Sequence, residues 1–326
     1  MRADLLGRLL VYSGVNRLYR RVLAPEGFPI LAWHEIRARS LIAQLNALAP
    51  YYRFLSLEDA VVYERRPGSR PALVLTFDDG YRSWCDEVLP YLRSKRIPAT
   101  FFVCTGFLDR IELPWYEIVE RYIRRRRGSY IDVRGERFSV KILQRNSAVR
   151  RSFNARIKSM DHKEFLALIH HLERGLNRED RDAIWARYLT WDELRGIEGM
   201  DIQIGAHSIR HHFLSRLNIE DMTHEIRGSK ERLEEALDRS IDAFAYPNGT
   251  PQDIDDRVIR ITKASGFRFG LTALRGLNEP HPDPMMLRRV AIPERASLSR
   301  VRIAASGLLG RLEDWRDFAA LERSGT

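Results

Sequence analysis

The feature that most constrains the fold of this chain is a pair of adjacent carboxylates at the end of an apolar run. The run Pro71–Leu75 has the composition of a strand buried on both faces, and the sequence TFDDG follows it at Thr76–Gly80. Two carboxylates are costly there unless their charge is used. A divalent ion ligated by one of them, beside a water deprotonated by the other, would use both. A plain turn is the alternative, since Asp and Gly are common turn residues.

Apolar runs that alternate with helical segments continue along most of the chain. The predicted strands are Phe28–Trp33, Arg53–Leu55, Pro71–Leu75, Ala99–Val103, Asp201–Ala206, Ala243–Pro247, Phe267–Thr272 and Leu287–Ile292. This alternation predicts a parallel sheet, and about seven such units predict an α/β fold closed into a distorted (β/α) barrel.

A polar and basic segment at about 109–187 interrupts the alternation. It is too long for a structureless loop, and its pattern around Gly135 indicates a hairpin beside helices. We therefore expect one barrel domain over residues 26–326 with a helical and hairpin insertion. The arginine block Arg124–Arg127 within it has the composition of a solvated face.

Composition limits the classes of partner. A hydrophobic fraction of 44% is enough for a large core and excludes a disordered chain. The net charge of +10 favours acidic partners, but no zinc-finger spacing, RNA-binding aromatic signature or basic heptad pattern is present, so nucleic acid is not expected. The two cysteines, Cys85 and Cys104, form no metal-type pair and suit a reducing compartment.

Residues 1–25 form a separate basic segment. No run reaches the ~18 apolar residues of a membrane span. Arginines interrupt the apolar residues of Met1–Val22, whereas a signal peptide has a continuous apolar stretch. The spacing of its leucines and valines predicts an amphipathic helix. That helix either caps the fold or rests on an anionic membrane surface. We expect a cytoplasmic protein, with peripheral contact at the inner face of the membrane as the second possibility.

Polar residues follow four of the predicted strands: His34, the Asp78–Asp79 pair, His207 and Asn248. In a β/α barrel the carboxyl ends of the strands converge on one rim, where active sites lie. His207 and His211 are spaced i, i+4, so one helical turn would bring both imidazoles to the same side. With Asp79 they make a ligand set for a divalent ion, for which zinc is the first expectation and other first-row ions fit equally well.

Together these residues carry a resemblance to a known family. Thr76–Gly80, the His207-Ser208-x-x-His211 segment and Phe244–Gly249 resemble, in order, three motifs of the polysaccharide deacetylases, also called the NodB-homology or carbohydrate esterase 4 family. The likeness spans roughly residues 30–292 without the insertion. It implies a distorted barrel that hydrolyses N-acetyl groups of amino sugars with the help of a metal ion.

Carried over residue by residue, the resemblance makes Asp78 the catalytic base and Asp79, His207 and His211 the metal ligands. The backbone N–H of Asn248 would help to hold the oxyanion. Two departures stand out. Ala245 occupies the position of an arginine that steadies the base in many members, and Arg289 or its neighbour Arg288 is the candidate substitute.

The second departure concerns the general acid, because the late Leu-x-His motif that supplies it in many members is missing. His281, in a proline-rich turn, is the only late histidine. Trp33-His34 instead resembles the Tyr-His that ends the first strand in the circularly permuted exopolysaccharide-deacetylase branch. His34 is therefore the expected acid, and a satisfied core histidine is the alternative.

The expected activity is metal-dependent hydrolysis of N-acetyl groups from an amino-sugar polymer, oligosaccharide or glycolipid, an attack on a non-peptide linear amide bond. An O-acetyl esterase, or a deformylase of a lipid-linked sugar, would keep the same fold and metal. A non-catalytic carbohydrate- or membrane-binding barrel is the rival from another class, although a binder has no need of a base at Asp78.

Overall fold

The computed structural model describes residues 27–66, 68–125, 129–197 and 201–308. The N-terminal helix expected over Met1–Val22 lies outside these residues. The strands are β1 (Ile30–Trp33), β2 (Arg53–Phe54), β3 (Ala72–Phe77), β4 (Ala99–Val103), β5 (Tyr130–Val133), β6 (Glu136–Ser139), β7 (Ile202–Ala206), β8 (Ala243–Ala245), β9 (Phe269–Leu271) and β10 (Val290–Ala291).

The main sheet is parallel and curls towards closure. Its strand order is β10-β1-β3-β4-β7-β8-β9, with the short β2 paired to the start of β3. The edges meet where Leu271 of β9 forms a parallel bridge with Leu287, just before β10. Thr272 N–H donates to the Leu287 carbonyl (2.8 Å), and Leu287 N–H donates to that of Gly270 (2.9 Å). The distorted barrel predicted from the sequence is confirmed.

Helices cover the outside of this sheet. They are α1 (Ala38–Leu48), α2 (Leu57–Val61), α3 (Leu89–Lys95), α4 (Thr105–Leu108), α5 (Trp115–Arg125), α6 (Val140–Arg145), α7 (Ser147–Ile157), α8 (His162–Arg174), α9 (Arg178–Trp185), α10 (Trp191–Arg195), α11 (Ile219–Thr223), α12 (Ser229–Leu237), α13 (Asp256–Ala264) and α14 (Leu298–Ser306). A π-helical turn at Trp84–Val88 leads into α3, a second at His224–Gly228 joins α11 to α12, and a 3-10 turn spans Leu214–Arg216. No helix of the described ranges is both long and apolar enough to cross a membrane.

Side-chain alternation along the strands separates two hydrophobic clusters. Leu73, Leu75 and Phe77 of β3 join the larger cluster between strands and helices, whereas Ala72 and Val74 join a smaller cluster that contains residues of β1, β3, β4, β8 and β9 and of helix α2. The smaller cluster fills the interior of the barrel. By the same alternation Asp78 points to the inside, above Thr76.

The insertion lies between β4 and β7 and consists of helices and a hairpin. β5 and β6 pair antiparallel around a turn at Arg134 and Gly135, both with positive φ (51° and 77°). This agrees with the predicted hairpin. Aromatic contacts hold the helices of the insertion on the rim. Trp115 of α5 and Phe165 of α8 pack against Phe213 with ring-centroid distances of 5.7 and 5.1 Å. The insertion is therefore one wall of the rim.

Candidate active site at the carboxyl ends of the strands

Three of the predicted site residues meet above the barrel as a compact, buried cluster. Asp79 follows β3, and His207 and His211 follow β7. Their potential ligand atoms all lie within 4.8 Å of one another. Asp79 Oδ1 is 3.5 Å from His207 Nε2 and 3.6 Å from His211 Nε2.

The chemistry of this cluster fits a divalent cation. Asp79 Oδ1 is buried, has no hydrogen-bond partner and faces the Nε2 atoms of two imidazoles. Burial lowers the pKa of His207 and lowers that of His211 well below its usual value, which favours the neutral imidazole that ligates metals. One carboxylate and two imidazoles leave further coordination positions for water and substrate.

His207 is held in the tautomer that a metal site requires. Its Nδ1 lies 2.6 Å from the carbonyl oxygen of Ala245, which only accepts hydrogen bonds, so Nδ1 carries the proton and Nε2 keeps its lone pair. The same contact ties the loop after β7 to the end of β8.

The prediction that one helical turn joins His207 to His211 is wrong. Residues 207–213 form an irregular loop in which Ser208 and His211 have left-handed φ angles of 63° and 60°. The His211 N–H donates to Ser208 Oγ (3.0 Å), and the Glu225 carboxylate accepts from the N–H groups of Ile209 and Arg210 (3.0 and 2.9 Å). These side-chain acceptors replace the backbone bonds of a helix and still bring both imidazoles to Asp79.

Asp78 has a partner of its own inside the barrel. Arg289 Nη1 donates to Asp78 Oδ1 at 2.7 Å, and Arg289 Nε donates to the Thr272 carbonyl at 2.9 Å. Arg289 is 3% exposed. Arg288 turns the other way and donates to the Arg275 carbonyl (3.0 Å). Of the two candidate arginines, Arg289 is the one that contacts the predicted base, and it lies just before β10 rather than within it.

The two candidate acids lie in different surroundings. His34 follows β1 and is exposed, and it lies within electrostatic reach of Asp78 and Asp79. The alternative of a buried, satisfied core histidine is therefore wrong. Trp84 Nε1 donates to the His34 carbonyl (3.0 Å), which fixes the backbone there. His281 is exposed in the segment between β9 and β10, with φ of 55°.

Asn248 follows β8, the strand next to β7 in the sheet. Its φ of 60° is left-handed, a conformation that asparagine tolerates better than most residues. Its Nδ2 is buried without a hydrogen-bond partner. The role of its backbone N–H at an oxyanion stays a prediction, as do the roles of the other site residues.

Sequence reasoning missed the contribution of the insertion to the rim. The ring of Tyr116, from α5, lies edge-on to His211 with centroids 5.5 Å apart. Tyr188, Glu117 and Arg187 lie beside it. No motif or periodicity marks these residues, because they reach the site only through the docking of the insertion.

Comparison with known sequences connects the chain with one enzyme family. The profile of the family described as polysaccharide deacetylase matches residues 65–270, more than half of the chain. A chitooligosaccharide deacetylase from Rhizobium leguminosarum bv. phaseoli is 53% identical over 47 residues. That match covers 14% of this chain and only 20% of the curated relative.

Solved structures share the fold. The Streptococcus pyogenes deacetylase PplD, in complex with acetate, and IcaB from Ammonifex degensii are each 18% identical with a TM-score of 0.54, covering 86% of this chain and 98% of theirs. A de-N-acetylase from Aggregatibacter actinomycetemcomitans is 15% identical with a TM-score of 0.55, over 86% of this chain and 100% of its own. Together with the family profile, they confirm the resemblance first drawn from the three motifs.

Proposed function

Because the chain belongs to the polysaccharide deacetylase family, we propose that it removes N-acetyl groups from an amino-sugar polymer, oligosaccharide or glycolipid by metal-dependent hydrolysis. The observation that carries this proposal is that two adjacent carboxylates at one rim have different partners. Asp79 faces His207 and His211 and fits a cation, while Asp78 is paired with Arg289.

The residues divide the work as follows. Asp79, His207 and His211 hold the ion, which when bound polarises the acetyl carbonyl and lowers the pKa of water. Arg289 keeps Asp78 ionised, so that Asp78 accepts a proton from the attacking water. The backbone N–H of Asn248 donates to the developing oxyanion. His34, exposed at the mouth of the site, gives a proton to the departing amine.

The likeness to deacetylases supports an acyl bond as the target, and the base supports hydrolysis over mere binding. An amide is harder to cleave than an ester because its amine leaves only when protonated. A site with both a base and an imidazole at its mouth suits the amide. Zinc is our first choice of ion, since two imidazoles and a carboxylate suit it.

The test is metal-dependent acetate release across a panel of acceptors. Chitooligosaccharides, an O-acetylated xylooligosaccharide and an N-formylated amino sugar separate N-deacetylase, esterase and deformylase activity. Asp78→Asn, prepared in parallel, is the control for contaminating enzymes, because it should keep the ion and lose about 10²-fold or more in turnover. We expect acetate from an N-acetylated acceptor, lost on chelation and restored by zinc. Tight metal binding without release from any acceptor would favour the non-catalytic carbohydrate-binding barrel.

A further inference from the structure

The backbone of the loop that carries His207 and His211 is held from two sides. On one side lies Glu225, which is 1% exposed and comes from the π-helical turn between α11 and α12. Its Oε2 accepts from the N–H groups of Ile209 and Arg210 (3.0 and 2.9 Å), and its Oε1 accepts from Arg210 Nη1 (2.9 Å). One buried carboxylate therefore satisfies two consecutive backbone donors between the two histidines.

The other side of the loop faces the amino end of α4. The Gly106 N–H donates to the Ile209 carbonyl at 2.9 Å, and Cys104 Sγ donates to that of His207 at 3.0 Å. A Cβ at Gly106 would lie 2.7 Å from the Ile209 oxygen, closer than real Cβ atoms come. Glycine at this position thus allows the backbone of α4 to approach the loop closely.

These contacts matter because the sequence of the loop also suits another conformation. Ser208 and His211 have left-handed φ angles, which are uncommon for residues other than glycine. The spacing from His207 to His211 would fit a regular helical turn, in which both angles would be negative. Glu225 binds two N–H groups that such a turn would need, so it favours the irregular loop. In that loop His211 Nε2 lies 3.6 Å from Asp79 Oδ1.

Glu225 is not a member of the ligand cluster. The ligand atoms that lie within 4.8 Å of one another belong to Asp79, His207 and His211. The Glu225 oxygens instead bond to the loop backbone and to the Arg210 guanidinium, which also compensates the buried charge. Glu225 therefore reaches the ligands through the loop backbone, which sets where His211 lies.

We propose that Glu225 is a positioning residue of the metal site: with the backbone of Gly106 it holds the loop in the conformation that turns the His211 imidazole towards Asp79. Metal affinity then depends on a buried carboxylate that is not one of the ligands. This inference rests on the proposed function in one respect, namely that the Asp79, His207 and His211 cluster binds a divalent ion.

The experiment measures metal affinity in the full chain, with no substrate present. Wild type and variants are stripped with a chelator and titrated with Zn²⁺ against a chromophoric competitor. Glu225→Ala removes both carboxylate oxygens, and we expect zinc affinity to fall about 10- to 100-fold at unchanged stoichiometry, the range typical of groups that orient ligands. Glu225→Gln should recover part of that loss, because its amide oxygen can still accept from both N–H groups.

Glu234→Ala is the matched control. Glu234 lies on α12, pairs with Lys230 (2.8 Å) and accepts from the Ile241 N–H (2.9 Å), so this variant also takes a carboxylate from a cation and a backbone donor. Ile241 precedes β8, at the end of the barrel opposite to the rim. Glu234→Ala should therefore lower thermal stability and leave zinc affinity unchanged.

Equal zinc affinities in Glu225→Ala and wild type would overturn the inference and spare the proposed function. If Glu225→Ala does not fold, Gly106→Ala decides the question. Its methyl group must displace the Ile209 carbonyl, so zinc affinity should fall, and an unchanged affinity overturns the inference. A wild-type chain that binds no zinc would overturn the metal site itself and this inference with it.

Discussion

The carboxyl groups of Asp78 and Asp79 belong to adjacent residues, yet their pKa values are shifted in opposite directions. Burial raises the pKa of Asp78, but Arg289, aided by His207 and His34, outweighs burial and the net shift is downward. Burial raises the pKa of Asp79, and His34, His207 and the Tyr116 hydroxyl offset only part of it. One carboxyl has a fixed cation and the other lacks one.

The backbone makes this division possible. Asp79 has φ of 82°, which non-glycine residues rarely adopt and which costs about 1–3 kcal/mol. The turn directs Asp78 to the interior of the barrel and Asp79 to the histidines. A bound cation at Asp79 would remove the penalty of its buried charge, since opposite charge favours the ionised form.

Arg289→Gln should move the acid limb of the pH profile of kcat/KM to higher pH. Asp78 works as a base only when ionised, so activity falls as the pH drops through its pKa. Arg289 lowers that pKa, and without it burial acts unopposed by the guanidinium and the pKa rises. The measurement is kcat/KM for acetate release between acid and neutral pH.

Arg288→Gln is the control for this substitution. Arg288 is the chain neighbour of Arg289, but its guanidinium contacts the Arg275 carbonyl instead of Asp78. Its acid limb should match that of wild type. An acid limb that stays in place in both variants would show that Asp78 is not the group titrating there.

His207→Ala should abolish tight binding of about one divalent ion per chain, because it removes one of the three proposed ligands. Elemental analysis after dialysis measures the content. His212→Ala is the control, since His212 is also buried but its Nε2 bonds to Glu112 Oε1 (2.9 Å), away from the cluster. Equal metal content in His207→Ala and wild type would refute the proposed metal site.

Residues 1–25 should bind anionic vesicles weakly and in a salt-sensitive way. The segment carries five arginines and one acidic residue, and a single basic amphipathic segment gives only reversible attachment that salt screens. Full-length chain should sediment with phosphatidylglycerol vesicles at low salt, whereas a chain beginning at Gly27 should stay in the supernatant. Equal sedimentation of the two would refute the prediction. If circular dichroism shows that the shorter chain is unfolded, the capping alternative explains the segment.

The barrel and its rim were predictable because the signal is local. A strand of a parallel sheet is buried on both faces and therefore reads as an apolar run. Leu73–Leu75 predict the strand β3 in this way, and Asp78, which follows it, marks its polar end. The choice between Arg288 and Arg289 could not be made from the local sequence. It depends on the register in which Ala32 pairs with Ala291, which sets the residue that points inward.

The loop at His207–His211 shows where spacing misleads. An i, i+4 pair predicts a shared face only on a helix, and here the Glu225 carboxylate, fourteen positions beyond His211, fixes a different backbone. Tyr116 was invisible for a related reason. Its place beside His211 follows from how Trp115 and Phe165 pack against Phe213, contacts between segments that no short motif records.

His34→Ala should lose about 10²- to 10⁴-fold in N-deacetylation, the range typical of general acid–base catalysis, with metal content unchanged. His34 lies at the rim, within electrostatic reach of Asp78 and Asp79, whereas His281 is exposed in the segment between β9 and β10. His281→Ala is therefore the matched control and should retain activity. An activated acetate ester, whose leaving group departs without a proton, should be hydrolysed at a rate much closer to that of wild type. An inactive His281→Ala variant together with an active His34→Ala variant would reverse the assignment and make His281 the acid.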